Sequence, residues 1–577
     1  MIATRAARWS PTRALARTLR AEALLPVIAI GISLIVALPI AAVAVLAVAP
    51  APGVWPHLLA TTLPFALRQT LLLMTGVAVF TLLAGAGTAW LVTMYRFPGR
   101  GLFDWLLILP LALPTYITAY CYGEFLDYTG PVQTAIRSLF GFTSYQDYAF
   151  PEIRSLGGAI FIMSAVLYPY VYLTARASFA LQSTHALDVA RTLGRTGLGA
   201  LFAVGLPMAR PALAAGVSLA LMEALNDIGA VDYLGVQTLT SSIYAAWIQR
   251  SSLAGAAQLA LVMFVFVVGL IALERYGRRH RRFNSAGSDR PVPELRLGAA
   301  KGWLAVLACA IPFVAGFVVP VGMLIDGVIA QGAQYGFSDY ARAAGTSLAL
   351  STAAAGIVVA LALVLGAALR VSRNRLAADA IRIAALGYAI PGTVIALGLI
   401  VPLGALDNVV SRLLNDQFGV NVGLVLSGSA FVLLLAYIIR FMAVALNAIE
   451  AGWQRLSPNL DAAARTLGSG PLAMLANIHL PLLRPAVGAA ALLVFVDAMK
   501  ELPATLLLRP FNFETLATQI YNFASQEQFE RSALAALTIV AVGLVPLLLL
   551  HRALTGTQSR PLLQNSHGTS SDRREAR

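Results

Sequence analysis

Two pairs of acidic residues, each set in apolar sequence, are the most chemically suggestive feature of this chain. Glu223 and Asp227 are four positions apart, and Asp497 and Glu501 repeat that spacing 274 positions later (497 − 223). Residues four apart share one helix face, so each pair presents two carboxylates side by side. Ionised groups at bilayer depth are costly and face a cavity or a partner rather than lipid. Two such pairs facing each other would favour a hard cation such as Fe³⁺, and the phenols of Tyr116, Tyr120 and Tyr122 would extend that oxygen chemistry. The competing structural reading pairs the acids with Lys500, Arg509 or backbone groups, and treats the tyrosines as an interfacial aromatic belt. The six histidines show no pairing and receive no metal site. Cys121 and Cys309 have neither metal nor disulfide spacing and read as small buried hydrophobes. No catalytic residue is assigned, and no cofactor is expected.

The elements that must position these residues are membrane helices. Of 577 residues, 58% are hydrophobic and 12% charged, with a mean hydropathy of +0.76. A soluble domain carries about 25% charged residues, so this chain lacks the charge to cover a water-facing surface. Apolar runs at 24–48 and 304–325 exceed the roughly 20 residues that span a bilayer as helix. The alternating pattern of a membrane β-barrel is absent. The expected fold is an all-α polytopic membrane protein of about twelve transmembrane helices.

Spans are expected at 24–48 and at about 69–94, 101–123, 157–180, 211–230 and 254–273, then at about 304–327, 346–370, 380–405, 426–449, 485–505 and 532–550. The net charge of +14 is read as topology rather than nucleic-acid binding, because Arg and Lys collect in cytoplasmic loops. Arg5, Arg8, Arg13, Arg17 and Arg20 place the N-terminus inside. Arg552, Arg560, Arg573, Arg574 and Arg577 place the C-terminal tail, residues 552–577, inside as well, and its composition reads as disordered. A polar, basic stretch at 274–300 reads as a cytoplasmic linker between a first repeat (1–273) and a second (301–551).

The halves repeat beyond the acidic pairs. Asp188-Val189-Ala190-Arg191-Thr192-Leu193-Gly194 precedes Val204-Gly205-Leu206-Pro207, and Asp461-Ala462-Ala463-Ala464-Arg465-Thr466-Leu467-Gly468 precedes Ile478-His479-Leu480-Pro481. Gly468 lies 274 positions beyond Gly194 (468 − 194), and Pro481 lies as far beyond Pro207 (481 − 207). Pro114 matches Pro391, and Thr238-Leu239 matches Thr515-Leu516. Six spans per half, both halves starting on one side, describe parallel repeats about an axis along the membrane normal. In each polar segment an acidic first turn opens a helix, a glycine ends it, and the proline is expected to turn the chain back towards the membrane. One copy would read as an ordinary capped helical loop; two in register, at about 181–209 and 452–484 on one side, do not.

These segments resemble the EAA loop of ATP-binding-cassette (ABC) importer permeases, in which Glu-Ala-Ala precedes a glycine and then Ile-x-Leu-Pro. The second copy matches at Ala463, Ala464, Gly468, Ile478, Leu480 and Pro481, with Ala462 at the glutamate position and Asp461 one residue before it. The first copy carries Asp188 at the glutamate position and matches at Ala190, Gly194, Leu206 and Pro207, with valines at 189 and 204. The segments around Glu223–Thr238 and Asp497–Arg509, and the fusion of two halves in one chain, are similar to the permeases of ferric-iron importers.

The resemblance implies the type I importer permease fold and a bacterial inner-membrane location. It also implies two copies of a cytoplasmic ABC ATPase docked on the loops and a periplasmic binding protein delivering substrate. Apart from the resemblance, the functional reading of the acidic pairs sets Glu223, Asp227, Asp497 and Glu501 along the translocation path, against the structural reading that pairs them with neighbouring groups. Thiamine-importer permeases share the fused arrangement, and an ion-coupled secondary transporter is the rival from another class. No Gly-x-x-x-x-Gly-Lys-Ser/Thr sequence occurs, so the chain is read as a transport subunit rather than an ATP-hydrolysing enzyme.

Overall fold

The computed structural model describes residues 11–49, 53–180, 192, 197–279, 295–332, 336–371, 374–385, 387, 390–420 and 423–558. The fold is all-α and polytopic: among the described residues eleven helices are long and apolar enough to cross a membrane, and a strongly bent pair makes twelve. In the first half these elements are α1 (Pro11–Val48), α2 (Thr62–Met94), α3 (Arg100–Leu106), α4 (Thr115–Leu126) and α5 (Leu156–Ala180). They continue with α6 (Leu206–Asn226), α7 (Gly229–Tyr233), α8 (Leu239–Tyr244) and α9 (Leu253–Arg279). The second half supplies α10 (Ala299–Phe313), α11 (Val319–Gln331), α12 (Phe337–Val371), α13 (Arg375–Ala384), α14 (Gly392–Phe418) and α15 (Ala430–Gln454). It ends with α16 (Pro458–Thr466), α17 (Leu480–Met499), α18 (Pro503–Leu508), α19 (Leu516–Ser525) and α20 (Phe529–Gln558).

Apolar periodicity decides which faces turn inward. On α1, Ala29, Val36 and Val43 are buried at seven-residue intervals, while Val27, Leu34 and Val45 are exposed as a lipid-facing side requires. That buried stripe packs on the second half, where Gly398 is pressed against the Pro39 carbonyl. Reciprocally, Gly316, between α10 and α11, is pressed against the Ala165 carbonyl of α5. A side chain at either glycine would collide with backbone, so each half clasps the other with its first helix.

Two expected spans are broken rather than continuous. Arg100–Ala112 and Thr115–Phe140 meet at 94°, so the expected span at 101–123 is a bent pair. In the second half α13 is separate from α14, and the expected span at 380–405 becomes a helix that starts only at Gly392. Pro114 (φ −60°, ψ 140°) and Pro391 (φ −56°, ψ 140°) hold the same extended conformation at matching places. Proline cannot donate its nitrogen and disfavours helix in the residue before it, so each break follows from sequence.

The prolines of the repeated segments do the opposite of what was expected. Pro207 and Pro481 do not turn the chain; each lies at the start of a helix that runs on without a break from a π-helical turn, Leu201–Gly205 or Leu475–His479. Leu206 N–H bonds to the Leu201 carbonyl, and Leu480 N–H to the Leu475 carbonyl, each five residues back. A proline inside a regular helix clashes with the carbonyl four residues earlier, and a one-turn π-bulge relieves this. Val314–Val318 forms the same kind of turn before Pro320.

The duplication extends to caps. Thr238 and Thr515 both form capping boxes, at the starts of α8 and α19. Thr70 accepts the Leu239 N–H at 3.0 Å, and Ser347 accepts the Leu516 N–H at 2.7 Å. At the far end of the stretch expected to be a linker, Leu295–Arg296 pairs in parallel with Tyr95–Arg96 after α2.

Candidate functional site

α6 and α17 end near each other, and the turns after them line one open-sided cavity. Glu223, Asp227, Asp497 and Glu501 all border it. Asp227 and Glu501 lie just past the ends of their helices rather than within the spans. Asp227 accepts the Ala230 N–H at 2.8 Å and the Thr115 hydroxyl, which caps α7. Glu501 accepts the N–H groups of Ala504 (2.9 Å) and Thr505 (3.0 Å) and the Thr505 hydroxyl (2.6 Å), which caps α18. A carboxylate at a helix start satisfies free amides and complements the helix dipole. Asp497 pairs with Lys500 at 3.0 Å, and Arg509 pairs instead with Glu514 at 3.2 Å. Among the described residues, no group of three or more His, Cys, Asp or Glu side chains is placed to hold a metal ion.

The tyrosines are not an interfacial belt. Tyr116, Tyr120 and Tyr122 are all buried inside the bundle, and Tyr116 lines the cavity. Tyr122 donates to the Ala315 carbonyl at 2.8 Å, which ties α4 to the second half. The residue that sequence reasoning missed is Arg440 of α15. It lines the same cavity, buried, with Nη1 3.7 Å from Glu501 Oε1. The available signal was its solitude: it is the only charge between Ala430 and Ile449, and a lone intramembrane ion marks a cavity or partner.

Away from the repeated segments, at the other end of α5, the halves are joined by polar contacts. Tyr521 of α19 donates to Asp232 Oδ2 of α7 at 2.7 Å. Arg154, just before α5, meets Glu527 at 3.3 Å and lies over the Tyr233 ring.

Of the first repeated segment, Asp188, Ala190 and Gly194 lie outside the described residues; Leu206 and Pro207 begin α6. The second is described in full. Ser457 caps α16 by accepting the Asn459 N–H at 3.3 Å. Gly468 follows its end at φ +77°, with Ser469 N–H bonded back to Ala464 at 2.9 Å; this left-handed position favours glycine. The two matched alanines separate: Ala464 is buried and Ala463 is exposed, beside Ala462 and a Leu467 that is 84% exposed. Ile478 is half-buried in the π turn, and Leu480 and Pro481 are exposed on α17.

Asp461 faces inward. Arg370, at the end of α12, donates to both of its oxygens, from Nε at 2.7 Å and Nη2 at 3.2 Å, and His479 Nε2 lies 2.8 Å from Oδ1. Arg370 also binds the carbonyls of Trp453, Leu456 and Ser457. Burial acts to raise the Asp461 carboxyl, but Arg370 and His479 outweigh it and hold it below the usual carboxylate range. In the first half, Thr93 stands at the place of Arg370 (370 − 277) and Gly205 at the place of His479 (479 − 274), so this anchor belongs to one half only.

No family model matches the chain. Over 491 residues, 84% of this chain and 89% of the relative, it is 26% identical to the Fe(3+)-transport system permease protein FbpB 2 of Haemophilus influenzae. It is 24% identical over 481 residues, 78% of this chain and 80% of the relative, to the probable ABC transporter permease protein y4fN of Sinorhizobium fredii. A shorter stretch of 198 residues, 34% of this chain and 67% of the relative, is 30% identical to the putative 2-aminoethylphosphonate transport system permease protein PhnU of Salmonella paratyphi A.

Proposed function

The chain belongs to the permeases of ABC transport systems, and from that premise we propose that it is the fused membrane subunit of a binding-protein-dependent importer whose cargo is ferric iron. The observation that carries this reading is the repeated segment, present twice in one register with a π turn before each Leu-Pro. Its second copy exposes Ala462, Ala463 and Leu467 beside Arg465 and Thr466, a mixed surface open to a partner.

On this reading both segments and both termini are cytoplasmic, and each segment seats one of two copies of a separate ATP-binding subunit. A periplasmic binding protein delivers the cargo on the opposite face, near Tyr521 and Arg154. ATP-driven closure of the two ATPases brings the segments together and rocks the halves about their shared axis, which opens the central cavity outward. Glu223, Asp227, Asp497 and Glu501 border the path, with Asp227 and Glu501 fixing its walls through the helices they cap. The ferric-iron assignment is supported by a relative that matches 84% of this chain. Reconstitution with the ATPase and the binding protein tests it. ATP hydrolysis is expected to rise with ferric-loaded binding protein; a rise only with thiamine-loaded protein replaces the cargo, and no rise with either removes the importer reading.

A further inference from the structure

The open hydrogen-bonding capacity of the cavity lies mostly on donors, not on its acids. Asp227, Asp497 and Glu501 are already engaged by helix amides, hydroxyls and Lys500. Arg440 is only 6% exposed, yet among the described residues its Nε and Nη1 make no hydrogen bond. Its 3.7 Å approach to Glu501 compensates charge but is too long to be a hydrogen bond. The Tyr116 hydroxyl, at the same cavity, likewise has no partner. Buried polar groups are almost always bonded, so orphans that line a cavity point to a ligand. A guanidinium presents paired donors in a planar fork that matches an oxyanion.

Comparison of the halves shows that this donor was installed at one place only. Arg440 corresponds to Val166 in the first half (440 − 274), and Gly392 corresponds to Thr115 (392 − 277). A Cβ on Gly392 would lie 2.5 Å from Arg440 Nη1 and 2.9 Å from Glu501 Oε1. The glycine therefore makes the room that the guanidinium occupies, where the first half keeps a hydroxyl bonded to Asp227. We propose that Arg440 forms an oxyanion subsite in this cavity, so that the solute crossing the molecule presents a carboxylate, phosphate or similar group to its fork. Asn226 Oδ1, an acceptor at the same cavity with no hydrogen bond among the described residues, takes a hydroxyl or amine of that solute.

This inference rests on reading the cavity as part of the transport path. The oxyanion has two possible sources, a free anion or an anion still bound to a metal ion. Thermal unfolding of the purified full chain in detergent tests the subsite, with sodium phosphate, sodium citrate and ferric citrate against sodium chloride at matched ionic strength. Phosphate or citrate is expected to raise the unfolding midpoint of the native protein, and the rise is lost in Arg440→Met. Arg440→Lys keeps a cation beside Glu501 without the fork, and binding is expected to weaken at least tenfold. Gly392→Thr keeps the arginine but fills its place, and the rise is expected to vanish there too. A shift with citrate alone marks the free anion; a shift only with ferric citrate marks the metal-bound one. No shift in the native chain, or equal shifts in all three variants, overturns the subsite. Ferric uptake by cells carrying Arg440→Met separates the two readings: uptake at the native rate sinks the subsite and leaves the permease intact. Failure of the native complex to transport at all sinks the permease reading whatever binds to the cavity.

Discussion

At the scale of single residues, Asp461 shows how a motif position acquires a role that its motif does not state. The carboxylate bonds inward to Arg370 and His479, while Ala462, Ala463, Arg465 and Thr466 of α16, and Leu467 just after it, are exposed. Charge-assisted hydrogen bonds of this kind are worth about 1.5–3 kcal/mol each. Asp461→Asn is therefore expected to loosen residues 462–469, seen as faster amide exchange there with unchanged exchange in the spans. The pH sign follows from the lowered carboxyl. A depressed native value gives a contribution that is complete above the unfolded value of about 3.9 and is lost as pH falls through the native value. The difference in exchange between native protein and Asp461→Asn should thus persist at pH 5 and close below about pH 4. A difference already gone at pH 5 would remove Asp461 as the anchor.

At the scale of elements, the π turns before Leu206-Pro207 and Leu480-Pro481 link sequence to the angle at which each segment meets its span. Regular α-helix advances about 100° per residue, so inserting one residue's worth of extra backbone at the bulge rotates everything before it. Pro207→Ala and Pro481→Ala remove the steric cause of the bulge. Each is expected to lower stimulated ATP hydrolysis in the reconstituted complex several-fold while membrane insertion and unfolding midpoint stay near native. On the proposed docking role, native stimulation in both variants would show that the bulge does not set the angle at which the segments meet the ATPase. The second segment should be the less sensitive, because Arg370 holds α16 by contacts that its counterpart Thr93 lacks the charge and length to make.

For the whole molecule, the central question is what holds the halves together on the side away from the repeated segments. Tyr521–Asp232 and Arg154–Glu527 are polar contacts that cross there. An exposed ion pair contributes only about 0.2–1 kcal/mol and a hydrogen bond to a charged group about 1.5–3 kcal/mol, so the contact is strong enough to bias a two-state equilibrium and weak enough to release. Tyr521→Phe combined with Arg154→Ala is expected to raise basal ATP hydrolysis about threefold or more without binding protein, since one lost bond shifts the balance by that factor or beyond. Unchanged basal hydrolysis would mean that the contact does not hold the resting state.

The amino-acid sequence by itself determined the membrane class, the twofold duplication and the register of the repeated segments, because composition and spacing are properties of the chain alone. It also placed four carboxylates at one level of matched helices, since a repeat that preserves spacing preserves depth. Tertiary structure decided what those groups do. Whether a carboxylate lies free or caps a helix depends on where the next amides fall, and Pro114 and Pro391 set that by breaking spans that hydropathy reads as continuous. Whether Pro481 turns a chain or bulges a helix depends on the packing around it. Arg440 was visible as a lone charge, but its unsatisfied donors, and the glycine that makes room for them, belong to α14 and α15 together, and only folding brings those two helices to the same cavity.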